Sequence, residues 1–445
     1  MRLVLLALLT LALAGCAGSP GPVGSKRSAP GPLPASPVLM GAVPYGATAY
    51  GNGSLAQLFV HLTHDLEWGG RRPNLVRLEQ PVRVAMTGCC EADYASFLDG
   101  FLGQLRARTG IDMSRAPSEP NLFVHFVPGA DFRSRVPDNL CFVAPGNLPW
   151  QQFREDPGRY GTRVFEQVTR VASMSVYLPD TIAPHLVRRC LIEEITQALG
   201  LANDLNGLSD SIFNDDGAHI WPTALDNLML RVLYAPEIES GLSRRETRTH
   251  AETVLDRINP NGRSAPPLPK LHIRAMSGWA DHIGAAFDTG RSLSSRRASA
   301  QSALNLAASR LPFSPYHCRS LFVLARLSRD DAAAYATLLG RAMDVCRSVH
   351  GPNDPRIALI ELSAARSLLQ RGRPARAYAL SEPLAPRLAA HGHTAPLSAL
   401  FALQAAALEA IQRPGDAASA RRQADDWGSY ALGRERAGAR NRARR

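Results

Sequence analysis

The sequence predicts a multidomain chain in which an α/β (α+β) domain precedes an all-α domain of helical repeats. Two patterns indicate this division. Short apolar segments and amphipathic helices alternate as far as residue 258, whereas alanine, leucine and arginine at helical spacing fill the chain beyond residue 271. Between them, the prolines and the Asn-Gly pair of residues 259–270 predict a linker. We therefore place the two domains at residues 43–258 and 271–430.

The first residues have the pattern of a secretion signal. Residues 1–16, MRLVLLALLTLALAGC, form a short apolar run that ends in small residues and is too short to span a bilayer. The final Leu-Ala-Gly-Cys resembles a bacterial lipobox, which implies that Cys16 is acylated and that Ala17 directs retention in the outer membrane. The alternative is an ordinary signal peptide. Residues 17–42, rich in Gly, Pro and Ser, predict a flexible tether to this membrane anchor.

Cysteine usage agrees with an oxidising compartment. Apart from Cys16 the chain has six cysteines, an even number that predicts disulfides outside the cytoplasm. We expect Cys141 to pair with Cys190 and Cys318 to pair with Cys346, because each pair then stays within one predicted domain. Buried thiols are the alternative.

Arginine supplies almost all of the net charge of +11. Part of it lies in residues 431–445, where six arginines face one glutamate. Such a run predicts a disordered, solvated tail, with binding to an anionic envelope surface as the functional alternative. Outside the cytoplasm we expect no nucleic acid ligand.

The first domain is predicted to place a sheet before one distinctive helix. Earlier helices are expected at residues 54–68 and 94–110, the second closed by Gly110. The distinctive helix begins near Pro184. Strands are expected at residues 74–88, 121–129, 140–146 and 173–179.

The distinctive helix contains the stretch CLIEEITQALGLANDL, which has the spacing of a zinc-protease helix without its histidines. In the metzincin motif His-Glu-x-x-His-x-x-Gly-x-x-His, three histidines bind zinc and the glutamate is the general base. Here the ligand positions hold Glu193, Gln197 and Asn203, and the base position holds Glu194. Because amides are poor zinc ligands, we expect no catalytic zinc. The helix is expected to bury an arc formed by Val187, Leu191, Ile192, Ile195, Ala198 and Leu199.

Three interpretations of this stretch remain open. In the first it is a scaffold, in which Glu194 accepts hydrogen bonds from the loop at residues 210–217 and Asp210 or Asn214 caps the next helix. In the second it lines a cleft for a carbohydrate or peptide. The third is a metal-dependent peptidase or other hydrolase that uses Glu193 and Glu194. Calcium, which prefers oxygen ligands, could be bound by Glu193, Glu194 and Asp204.

Stretches within residues 52–246 resemble one bacterial family. CLIEEITQALGLANDL, DSIFNDDG at residues 210–217 and LDNLMLRVLYAPEIESGLSRRE at residues 225–246 are similar to the domain of unknown function 2927, whose members often resemble lipoproteins. That family has no assigned activity, so the resemblance implies no reaction. Its Glu-Glu-x-x-Gln pattern is intact here, at Glu193, Glu194 and Gln197.

The second half of the chain repeats at a shift of 41 residues, which places Gly351 on Gly392 and Pro355 on Pro396. Such periods are typical of helical-hairpin solenoids. The stretch resembles the long tetratricopeptide-like repeats of kinesin light chains, which implies a concave surface for a protein or peptide partner. A non-repetitive bundle that only packs on the first domain is the alternative. We expect a non-catalytic envelope lipoprotein that binds or assembles other proteins.

Overall fold

The computed structural model of the chain describes residues 50–79, 81–136, 139–271, 276 and 278–433. Cys16, the tether at residues 17–42 and the arginines of residues 434–445 lie outside these ranges, so the lipid anchor and the basic tail stay predictions. The described chain forms an N-terminal α/β region with one five-stranded mixed sheet, followed by a helical region. None of its helices combines the length and apolarity needed to cross a bilayer.

The sheet has the strand order β2-β1-β3-β5-β4. Four strands are parallel, and β4 runs antiparallel to β5 at one edge. Every residue of the interior strand β5 is buried, as expected where helices cover both faces of a sheet. The strands are β1 Val82–Thr87, β2 Met113–Arg115, β3 Leu122–Val127, β4 Phe142–Pro145 and β5 Met174–Pro179.

The two faces of the sheet bury cores of different size. Val176 and Leu178 belong to a large core shared with most helices of the region. Tyr177, on the opposite face, belongs to a small cluster with Phe132 and Trp150. The helices are α1 Asn52–His64, α2 Glu91–Thr109, α3 Gly129–Arg135, α4 Trp150–Phe153, α5 Val164–Gln167, α6 Pro184–Ala198, α7 Ala224–Leu233 and α8 Arg244–Ile258, with a π-helical turn at Gly158–Arg163.

Each element predicted for the first domain has a counterpart, although bounds differ, and several short elements were not predicted, among them α3, α4 and α5. The strand expected at residues 74–88 is shorter, because Leu75 bonds to the backbone of Gly241 and Leu242 outside the sheet. Strand β2 was not predicted, since three residues carry no periodicity. Gly110 adopts the predicted left-handed C-cap conformation, with φ 79°.

The helical region contains nine helices among the residues described. Each packs chiefly on its neighbours in sequence, as in a helical-hairpin array. Pro355 and Pro396 lie in the first turns of α13 and α16, so the predicted repeat register coincides with helix starts. The helices are α9 Trp279–Phe287, α10 Leu293–Arg310, α11 Pro315–Leu327, α12 Ala332–His350, α13 Pro355–Gln370, α14 Pro374–Ser381, α15 Leu384–Ala390, α16 Thr394–Ala410 and α17 Pro414–Leu432.

Both predicted disulfides are present. Cys141, just before β4, is bonded to Cys190 in α6, and Cys318 in α11 is bonded to Cys346 in α12. The first fastens a helix to the edge of the sheet, and the second closes one helical hairpin.

Residues 259–270, predicted as a linker, pack against the start of α1. The backbone N–H of Gly51 donates to the carbonyl of Pro266, and that of Leu268 donates to Ser54 Oγ. Asn259, only 1% exposed, donates through Nδ2 to Asn52 Oδ1. This segment is therefore part of the packed structure.

Candidate functional site

Helix α6 has the buried face that its periodicity predicts. Pro184 occupies its first turn, where the missing N–H costs no intrahelical hydrogen bond. Gly200 follows its end with φ 133°, and a Cβ there would lie 2.7 Å from the carbonyl oxygen of Val76. Glycine is thus required both by its conformation and by the close backbone approach. The predicted arc is buried throughout, at Val187, Leu191, Ile192, Ile195, Ala198 and Leu199.

Two residues in the ligand positions of the zinc-protease frame bond to neighbouring side chains. Glu193 Oε2 accepts from Arg189 Nε at 3.1 Å, one turn earlier in α6. Gln197, 6% exposed, donates through Nε2 to Glu67 Oε1 at 3.0 Å and to Asp204 Oδ1 at 3.2 Å. The amide that would face a metal instead ties α6 to the segments before and after it.

The third ligand position has a structural role as well. Asn203 is 4% exposed, and its Nδ2 donates to the carbonyl oxygen of His61 in α1 at 3.0 Å. All the predicted site residues on α6 and after it are thus brought together. Within this set the described structure joins Gln197 directly to Asp204, whereas Glu193 and Asn203 bond to residues outside it.

Glu194, in the general-base position, lies in a different environment. It is 7% exposed and accepts no hydrogen bond from any residue that the structure describes. The loop after α6 was expected to donate hydrogen bonds to Glu194, but its donors bond elsewhere. Thr223 caps α7 in a capping box with Asp226, so the predicted caps Asp210 and Asn214 are wrong.

Glu194 borders a small recess between α6 and the sheet edge. The described residues leave about 40 Å³ in it accessible to water, enough for a few water molecules and far too little for an extended peptide. Its wall is mainly apolar and is formed by Leu66, Glu67, Trp68, Asn139, Cys141, Phe142, Val143, Phe165, Glu194, Gln197 and Ala202.

The carboxyl groups around the recess raise one another's pKa. Burial raises the pKa of Glu194 and Asp204 well above the ordinary carboxyl range, and the charges of Glu193 and Glu67 add to this. Glu67 is more exposed as a residue, yet desolvation of its carboxyl, with the charges of Glu193 and Asp215, raises its pKa to about 7. The folded state therefore favours the protonated forms of these acids. Over the described ranges, no three His, Cys, Asp or Glu side chains are placed to hold a metal ion.

No sequence pattern predicted the contacts between α6, the loop that follows it and the helical region. We name residues 199–223 the α6–α7 loop. Arg356, at the start of α13, donates through Nε to Asp216 Oδ2 and through Nη2 to the carbonyl of Ser209, both at 2.8 Å. Arg319, in α11, donates through Nη2 to the carbonyl of Asp215 at 2.6 Å. The contacting residues lie more than 100 positions apart in the sequence, so no periodic pattern relates them.

Two further contacts complete this interface. His393 Nε2, next to the start of α16, lies 2.8 Å from the carbonyl oxygen of Ala218 in the α6–α7 loop. At the other side of α6, Arg188 donates to the carbonyl of Tyr430 at 2.9 Å, with its guanidinium 3.7 Å from the Tyr430 ring centre. The starts of α11, α13 and α16 thus meet one loop, and α17 covers α6.

Replacing Glu194 by glutamine is expected to stabilise the protein at pH 8 by about 1 kcal/mol. Because the folded state raises the pKa of Glu194, its contribution is most favourable below the unfolded pKa and declines as pH rises towards the folded pKa. Glutamine resembles the protonated acid, so the variant should lose less stability between pH 5 and pH 8. Urea unfolding at both pH values measures this. Glu155→Gln, at an exposed position, is the control. A variant less stable than wild type at pH 8 would contradict the expectation.

Comparison with known proteins places the first region in a family. Residues 52–253 match the family model described as Protein of unknown function (DUF2927). No curated protein and no solved structure matches the chain. The matched residues run from α1 into α8 and include α6, the recess and the α6–α7 loop. The N-terminal α/β region therefore matches the DUF2927 family over residues 52–253.

Proposed function

We propose that this protein is a non-catalytic scaffold of the cell envelope, anchored by a lipid on Cys16, whose helical region binds another protein. One observation carries the proposal: Glu193 pairs with Arg189 within α6, and Gln197 and Asn203 donate hydrogen bonds to segments outside the helix. The likeness to metzincins is then one of spacing alone. A zinc peptidase needs three good donors and an open fourth position.

The competing function is hydrolysis by Glu193 and Glu194. The observation that favours it is the carboxyl of Glu194, which has a raised pKa and borders a recess, as general acids often do. Against it, the recess is too small for a peptide or a sugar chain, and Glu193 is paired with Arg189. A small recess whose neighbouring side chains bond to one another fits a structural role better.

The helical region supplies the surface for a partner, in an arrangement that we interpret as tetratricopeptide-like. The starts of its helices are occupied by the α6–α7 loop. Near the other end of α11, Arg326 lies close to Arg329 and Arg366. Partial desolvation and these like charges lower the pKa of Arg326. Residues 278–433 carry 18 arginines against 12 acidic residues, so the partner is expected to present an acidic segment.

The test places a photo-crosslinking residue at Gln370, which is exposed one turn after Arg366 in α13, in the full-length protein in its own cells. We expect a discrete crosslinked partner, reduced at least tenfold by the double change Arg326→Glu and Arg366→Glu. Arg422→Glu, an exposed charge reversal on α17, and Glu194→Gln should both leave it intact. Crosslinking that survives the double change refutes this surface. Peptide cleavage by the purified protein that Glu194→Gln abolishes would establish the hydrolase instead.

The lipid anchor is tested separately. Labelled palmitate is expected to enter the wild-type protein and to be absent from Cys16→Ala, because the thiol of Cys16 is the proposed acylation point. The variant should also leave the membrane fraction. Labelling that persists in Cys16→Ala contradicts the lipid anchor but does not bear on the proposed binding surface.

A further inference from the structure

Two adjacent cysteines, Cys89 and Cys90, lie outside both disulfides. Cys89 is exposed and Cys90 is buried, and their Sγ atoms are 2.7 Å apart, closer than sulfur atoms in ordinary non-bonded contact. We propose that Cys89 and Cys90 form a redox-active pair that cycles between a dithiol and a vicinal disulfide by exchange with a protein disulfide. The two disulfides elsewhere in the chain agree with the oxidising compartment that this exchange requires.

Cys89 and Cys90 lie at the edge of the sheet where the parallel strands end. Strand β1 stops at Thr87, and Gly88 turns the chain with φ 107°, where a Cβ would lie 2.5 Å from the carbonyl oxygen of Phe126 in β3. Cys90 then caps α2. In open α/β sheets this carboxyl edge is the usual place for binding and chemistry.

A carboxylate from a third strand faces the exposed thiol. Asp180 directly follows β5, and its Oδ1 accepts from the backbone N–H of Gly129 at 3.0 Å, which fixes the side chain. Its Oδ2 accepts the S–H of Cys89 at 3.8 Å. Asp180 thus orients the exposed S–H of Cys89 at this edge of the sheet. This contact is independent of the spacing between the two sulfurs.

The oxidation step balances with a disulfide of general form R–S–S–R. Cys89 loses its proton to water, and its thiolate attacks one donor sulfur, forming a mixed disulfide and releasing the first thiolate. Cys90 then loses its proton in the same way, and its thiolate attacks Cys89 Sγ, closes the vicinal disulfide and releases the second thiolate. The two released thiolates take up the two protons. Two S–H bonds are replaced by one S–S bond, and the donor is reduced to two thiols. Reduction by a dithiol runs the same steps backwards.

The pair should be easier to reduce than the other two disulfides. Neighbouring Cα atoms across a trans peptide are about 3.8 Å apart, below the range of about 4.4–6.8 Å that disulfides normally bridge. The other pairs have Cα–Cα distances of 6.0 Å and 4.9 Å, within that range. A strained, accessible disulfide is the labile kind, so the Cys89–Cys90 bond should open and close while the others persist.

The test equilibrates the folded full-length protein with graded mixtures of reduced and oxidised glutathione, followed by alkylation and peptide mass spectrometry. The peptide with both cysteines is expected to lose two hydrogens in oxidised glutathione and to regain them in reduced glutathione, while the other two disulfides stay intact.

Two results would overturn the proposal. In one, both cysteines remain alkylatable after excess oxidised glutathione. In the other, Cys89 stops at a mixed disulfide with glutathione and Cys90 never displaces it. Cys90→Ser should trap that mixed disulfide by design, and the wild-type measurement stands by itself if this variant fails to fold.

Discussion

Arg356→Met is expected to destabilise the protein by about 3–5 kcal/mol, the usual cost of removing one partner from a buried charge pair. Arg356 is 8% exposed and bonds to Asp216, Asp354 and the carbonyl of Ser209. Methionine fills similar space but leaves two carboxylates without their counter-charge. Urea unfolding at pH 7 measures the loss. The control is Arg291→Met, because Arg291 forms an exposed pair with Asp288 and should change stability by less than about 0.5 kcal/mol.

The pH dependence of this loss identifies its cause. Burial alone would raise the pKa of Asp216, but Arg356 and Arg319 outweigh it and hold that pKa below its usual range. A lowered carboxyl pKa contributes stability above the unfolded pKa and loses it as pH falls through the folded pKa. The difference between wild type and Arg356→Met should therefore be greatest near pH 7 and shrink below about pH 4. If the stability difference between wild type and Arg356→Met is as large in acid as at pH 7, then lost packing, not lost charge, explains the destabilisation.

Sequence patterns over a few residues predicted those features of the fold that depend on local geometry. The buried arc of α6 follows from residues three and four apart, and the turn at Gly200 follows from a glycine after an apolar helix. Prolines at helix starts set the repeat register of the helical region, including Pro355 and Pro396. Sharing a predicted domain was enough to pair Cys318 with Cys346, but it left four cysteines as candidates in the first domain, where Cys141 pairs with Cys190.

Contacts that depend on the meeting of distant segments were not predictable. Gln197 meets Glu67 across 130 residues and Asn203 meets His61 across 142, and a single sequence holds no sign of either. The same holds for Arg356, one arginine among many until the α6–α7 loop is placed against it. The side chains in the ligand positions of the zinc-protease motif argued against zinc. The hydrogen bonds that these side chains form became known only from the fold.

Loss of the Cys141–Cys190 disulfide is expected to destabilise the protein by about 4 kcal/mol, because the bond closes a loop of 49 residues. The double variant Cys141→Ala and Cys190→Ala removes it without leaving reactive thiols. Chemical unfolding gives the total loss. Hydrogen exchange should show faster exchange in α6 and β4, which the bond joins.

The same change should open the recess beside Glu194, since Cys141 forms part of its wall. Water entering there would reduce the desolvation that chiefly raises the pKa of Glu194, so that pKa should fall towards its ordinary value. Carbon-13 NMR titration of labelled glutamate carboxyls detects this fall. The control removes Cys318 and Cys346, whose bond joins α11 to α12 in the other region, and should leave the Glu194 titration unchanged. If both double variants loosen the protein equally but neither shifts Glu194, the raised pKa must come from the surrounding carboxylates, with Glu193 and Glu67 as the groups to replace next.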